Sequence, residues 1–134
     1  MSKKSHWLDR SLFTSPYYYR LCLTEKEFHK ELKGLKLPKK DWPNFIKTER
    51  AGATVHTFES DEGMLCAIVC LRKTSNQIES IYGLLIHEAQ HLVDYCFEEL
   101  GETEPSSELK AYAIQTISQR LIESYKIQTK GKKK

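Results

Sequence analysis

Met64–Leu71 is the longest uninterrupted apolar run in the 134-residue chain, and it follows directly on Asp61-Glu62-Gly63. It is far shorter than the roughly 20 apolar residues a membrane-spanning helix needs. With a turn signal before it and Cys, Ile and Val within it, the run reads as a strand apolar on both faces. Such a strand must be covered on both sides. Ala53–Phe58 is more polar, rich in β-branched and aromatic residues, and suits an edge. Together they predict a 53–71 hairpin inside a short mixed β-sheet, with helices packed on it.

The helical segments lie on either side. Thr24 followed by Glu27 has the form of a capping box, so a short N-terminal helix is expected over about 25–33. Phe28 and Leu32 would face the core and Gly34 would close the helix. Residues 1–20 read as irregular, and the two prolines in Leu37–Pro43 mark a loop. From Asn76 the period changes. Asn76 with Glu79 reads as a capping pair, and Ile78, Ile81, Leu85, Ala89, Leu92 and Cys96 recur at helical spacing up to Gly101. Gly83 inside that helix marks a position where a neighbour is expected to approach. A last helix is expected from Pro105, with Ala111, Ile114, Ile117, Leu121 and Tyr125 on one stripe.

A chain of this size holds one domain, 1–134, with an ordered core over about 7–126 and a basic tail at 127–134. The four cysteines fit free thiols in a reducing cytoplasm, with Cys66 and Cys70 packed in the core. The first residues, Met1–His6, do not form an apolar signal core, so a cytoplasmic chain is expected and no membrane partner. The net charge of +3 includes six lysines at the two ends, without which the balance is −3. Basic charge in the tail alone argues against nucleic acid as a partner.

His87-Glu88-Ala89-Gln90-His91 lies within the 76–100 helical pattern. Residues four apart share a helix face, so both imidazoles can address one tetrahedral zinc ion. Glu88 then lies beside the metal, where it can take a proton from a bound water. Chance alone produces such a pattern in about 2 of 100 shuffled chains of this composition, and the apolar flanks Leu84-Leu85-Ile86 and Leu92-Val93 add to its weight. A catalytic zinc needs a third protein ligand. Glu108 at the start of the next helix, three residues before Ala111, is the favoured candidate. Asp94 and His56 are the alternatives. His6 and His29 read as solvated. The bland reading makes His87 and His91 ordinary surface histidines and Glu108 a carboxylate answering a helix dipole.

The stretches Leu84–His91, Gly101-Glu102, Pro105-Ser106 and Glu108–Gln115 resemble a family of small proteins encoded by tailed bacteriophages and prophages. Leu21-Cys22-Leu23, Asp41-Trp42-Pro43, Ala53–His56 and Ala67–Leu71 extend the resemblance over most of 17–121. More distantly, H-E-x-x-H followed by E-x-x-A is similar to the gluzincin-type metallopeptidases. That resemblance implies an α+β, zincin-like domain in which two C-terminal helices carry the site. It implies His87, His91 and Glu108 as zinc ligands and Glu88 as general base and acid. It also implies an edge strand, here Ala53–Phe58, that aligns an extended peptide. His56, Tyr95 and Tyr112 are the candidate substrate or oxyanion contacts. The expected function is a phage-encoded, zinc-dependent metallohydrolase, a peptidase with a peptide or protein substrate, working in the host bacterial cytoplasm. The alternative is a non-catalytic phage accessory protein that binds a host or virion protein, its metal site structural or degenerate.

Overall fold

The computed structural model describes residues 7–8, 15–48, 50–72 and 77–130. The elements are β1 (Tyr18–Cys22), α1 (Glu25–Gly34), a 3₁₀ turn at Lys39–Asp41, β2 (Ala53–Glu59), β3 (Leu65–Leu71), α2 (Ile78–Leu100) and α3 (Ser107–Thr129). The fold is α+β: a three-stranded mixed sheet of order β1-β3-β2 with helices on both faces.

β3 lies at the centre, as its two-sided apolarity requires, and its last six residues are buried. The hairpin forms where the turn signal predicts it. Gly63 takes a left-handed φ of 86° there, while the Ser60 hydroxyl accepts from the Glu62 and Met64 amides. β2 pairs antiparallel with β3 and occupies an edge. β1 begins within the stretch that reads as irregular in the sequence, so the structure adds a strand there. It pairs parallel with β3, Tyr18 opposite Cys66 and Cys22 opposite Cys70. Its buried Arg20 is accommodated by Glu31 of α1, at 2.6 Å.

Alternation along the strands divides two cores. On one face Cys22, Ile68 and Cys70 pack against Phe28 and Leu32 of α1, with Trp42, Phe45 and Phe58 around them. On the other, Leu21, Ala53, Ala67, Val69 and Leu71 pack against α2 and α3. α1 starts as expected: Thr24 Oγ1 accepts from the Glu27 amide at 3.1 Å, and Glu27 Oε1 accepts from the Leu23 amide at 3.2 Å. Gly34 is still helical, and the left-handed residue after the helix is Lys36, at φ 62°.

α2 ends on Gly101 at φ 78°, with the Glu102 amide donating back to the Phe97 carbonyl. Its N-cap is Gln77, and Asn76 lies outside the described residues. Gly83 is exposed with nothing close to it, so the expected approach is not there. The approach occurs at Gly52, where a Cβ would lie 2.9 Å from Leu84 Cδ1. α3 is capped by the Ser106 hydroxyl, which accepts from the Leu109 amide. Its buried stripe is Ala113, Ile117, Leu121, Ser124 and Gln128, whereas Ala111 is exposed. The ordered body also reaches past 126: Gln128 is buried and donates to the Leu21 carbonyl at 2.9 Å. No helix among the described residues is long and apolar enough to cross a membrane.

Candidate metal centre

The inner stripe of α2 (Ile81, Leu85, Ala89, Leu92 and Cys96) is buried, which fixes the rotation of the helix and presents His87 and His91 to solvent. Their Nε2 atoms lie 3.3 Å apart, with ring centroids at 4.9 Å and ring planes 76° apart. Two nitrogens bound at 2.0–2.1 Å to one tetrahedral ion stand about 3.3–3.4 Å apart. The pair therefore has the spacing of two corners of a zinc site. Without an ion, the same spacing lets one ring N–H donate to the other ring.

Glu88 is only 6% exposed, and no hydrogen-bond donor reaches its carboxylate among the described residues. Burial pushes its carboxyl above the usual range, and the neighbouring His91 and His87 pull it back. A carboxylate raised in this way is a stronger proton acceptor than a free one.

The flanks of α2 decide what can join this group. α3 packs along one flank, where Tyr82 meets Tyr125 edge-on at 6.5 Å and Asp94 meets Lys110 at 3.4 Å. At about 100° per residue, His91 lies about 180° round the helix from Tyr82. Leu84, Glu88, His91 and Tyr95 instead follow one line, on the flank where Leu84 meets Gly52 at the head of β2. Glu88 and Tyr95 thus face the side of the edge strand, while His91 and His87 lie between that flank and Asp94, which meets α3.

Glu108 is placed elsewhere. It is exposed, and like Tyr112 it stands two residues from Lys110, about 200° round α3 from the side chain that reaches α2. Both point away from the histidines. The expectation that Glu108 shares the core-facing side with Ala111 fails because α3 buries Ala113 in place of Ala111. Asp94 is engaged by Gln90 Nε2 at 3.0 Å and by Lys110. His56 lies on the opposite face of the sheet, stacked on Phe28 at 5.0 Å with Nε2 bonded to the Phe45 carbonyl at 3.0 Å. The strand's alternation puts it there, so it cannot contact the α2 site. Of the candidate contacts, Tyr95 alone shares the flank of Glu88. Among the described residues no group of three His, Cys, Asp or Glu is placed to hold a metal ion. His6 is outside the described residues, and His29 is half-buried, stacked on Trp42 at 5.1 Å.

No protein-family model, no curated protein sequence and no solved structure matches this chain.

Proposed function

We propose that the chain is a zinc-dependent metallohydrolase of zincin-like type, a phage-encoded peptidase acting in the host bacterial cytoplasm. The observation that carries this reading is the 3.3 Å separation of the His87 and His91 Nε2 atoms beside the buried Glu88. These residues fit two corners of a zinc site, and the third ligand has no counterpart on α3 in the arrangement described. A zinc ion held there would supply a Lewis acid to polarise a scissile carbonyl. Glu88 takes the proton of the attacking water and hands it to the leaving amine, for which a raised carboxyl is suited. β2 pairs only with β3 among the described residues, so its outer edge offers ladder hydrogen bonds to an extended peptide. Tyr95, 36% exposed and one turn beyond His91, is the candidate oxyanion donor.

A second reading is favoured by the placement of the described residues, among which no third ligand joins the two histidines. In it, two exposed histidines form half of a bridging site, and the chain is a phage accessory protein whose host or virion partner completes the coordination. The two readings separate on Glu88→Gln. If the chain is a peptidase, the zinc-loaded wild type hydrolyses a peptide library and Glu88→Gln keeps its zinc while losing hydrolysis. Equal hydrolysis by both proteins removes Glu88 from the chemistry. No hydrolysis by a zinc-loaded wild type favours the accessory reading.

A further inference from the structure

An edge strand is a template for another strand unless something blocks it, and natural edges carry prolines, lysines or bulges for that purpose. β2 has none of these. Its seven residues pair with β3 in unbroken register, and Ala53-Thr54-Val55-His56-Thr57-Phe58-Glu59 holds no proline, lysine or glycine. The opposite edge of the sheet is treated differently: the Leu8 amide donates to the Tyr19 carbonyl of β1 at 3.0 Å.

The ladder fixes which groups of β2 face outward. The Ser60 amide donates to the Met64 carbonyl and the Arg72 amide to the Gly52 carbonyl, both in continuation of the β2–β3 register. Even-numbered residues of β2 therefore bond to β3, and the amides and carbonyls of Ala53, Val55, Thr57 and Glu59 point away from it. None of these backbone groups has a hydrogen-bond partner among the described residues. When two β2 strands run antiparallel with His56 at the centre, Ala53 of one copy stands opposite Glu59 of the other, and Val55 opposite Thr57. Every outward group then meets another from the same set.

The two ends of the strand are opposite in charge. Lys47 and Arg50 are exposed before its head, and Glu59, Asp61 and Glu62 at its tail. Glu49 is the one carboxylate in the sequence from 42 to 58, and no cation stands between 59 and 71. Among the described residues none of these five exposed side chains is in an ion pair. Antiparallel pairing brings each basic head beside the other copy's acidic tail, and a two-fold axis makes that contact twice.

We propose that β2 is a self-association surface, on which two copies of the chain pair β2 to β2, antiparallel and centred on His56, to join their three-stranded sheets into one. A peptide of arbitrary sequence needs no charge at its ends, whereas a second β2 supplies the opposite charge at both. The edge is the same one offered to an extended substrate, so a substrate and a second copy compete for it. The pairing itself rests on the fold and not on zinc.

The test is sedimentation velocity of the purified chain in EDTA over about a hundred-fold range of concentration. The wild type should pass from monomer to dimer as concentration rises, and in the dimer the Val55 and Thr57 amides should become protected from hydrogen exchange. Thr57→Pro removes an outward donor and no bond to β3, and should leave a folded monomer. Asp61→Lys/Glu62→Lys and Lys47→Glu/Arg50→Glu should each weaken association about ten-fold or more. A mixture of the two should associate again, because each offers the charge the other lacks. A wild type that stays monomeric at every concentration overturns the proposal. So does a dimer that neither folded charge variant weakens and whose Val55 and Thr57 amides exchange as in the monomer, which assigns self-association to a different face.

Discussion

Leu84 closes on Gly52 so tightly that a Cβ at position 52 would lie 2.9 Å from its Cδ1, and this contact seats α2 over the head of β2. Gly52→Ala should therefore cost about 1 kcal/mol, because Leu84 has to shift its terminal methyls to make room. Gly83→Ala should do the reverse. With open space around Gly83 and helical backbone on either side, alanine should stabilise α2 by about 1 kcal/mol. Urea unfolding of both variants checks the pair, and opposite signs are the expected result.

Gln128 ties α3 to β1 through its bond to the Leu21 carbonyl and also donates to Ser124. Gln128→Ala removes the shortest of the bonds to the Leu21 carbonyl, which the Arg20 guanidinium also reaches at 3.2 Å, and should cost about 1 kcal/mol. Urea unfolding measures the loss, and an unchanged midpoint in the variant would contradict the role given to this bond.

His56 gives the fold an acid sensitivity. Burial holds its imidazole below the usual value of 6.5, outweighing the hydrogen bonds to the Phe45 and Asn44 carbonyls, with Lys47 adding to the depression. Above about pH 6.5 the ring is neutral folded and unfolded, and it leaves stability untouched. As pH falls below that value the unfolded chain takes up the proton first, so stability declines until the folded ring also protonates. His56→Gln should flatten that part of the profile. Chemical denaturation at pH 7.5 and 5.5 measures it, and equal slopes in wild type and variant would contradict the assignment.

The four cysteines are buried and free. Burial pushes the Cys22 thiol up to about 12 and the Cys70, Cys66 and Cys96 thiols upward as well. Because the thiolate is the reactive form, a disulfide reagent at pH 8 should label no cysteine in the native protein and all four in denaturant. Rapid native labelling would place a thiol at the surface.

What was legible in the sequence was local. Thr24 with Glu27, Asp61-Glu62-Gly63 and Gly101 each carry their structural instruction within a few residues, and each forms the element expected of it. The two-sided apolarity of Met64–Leu71 likewise translated into a central strand. β1 was not legible, because its partner is a parallel strand more than forty residues away. Its buried Arg20, moreover, is tolerated only through Glu31 on a different element. In α3 the stripes through Ala111 and Ala113 are both partly apolar, and docking against α2 and β1 chose the second. That choice turned Glu108 and Tyr112 away from the histidines. The His87–Glu88–His91 group survives as a unit because all of its geometry lies within one helix, whereas a third ligand depends on how another element packs.

Zinc stoichiometry of the purified, untagged protein, measured by elemental mass spectrometry after dialysis against zinc and then buffer, reads out whether His87 and His91 hold an ion. The account predicts about one zinc per chain in the wild type and in Glu88→Gln, and loss of zinc in His87→Ala and His91→Ala. No retained zinc in the wild type, or equal zinc in the histidine variants, would contradict it and leave His87 and His91 as an exposed hydrogen-bonded pair.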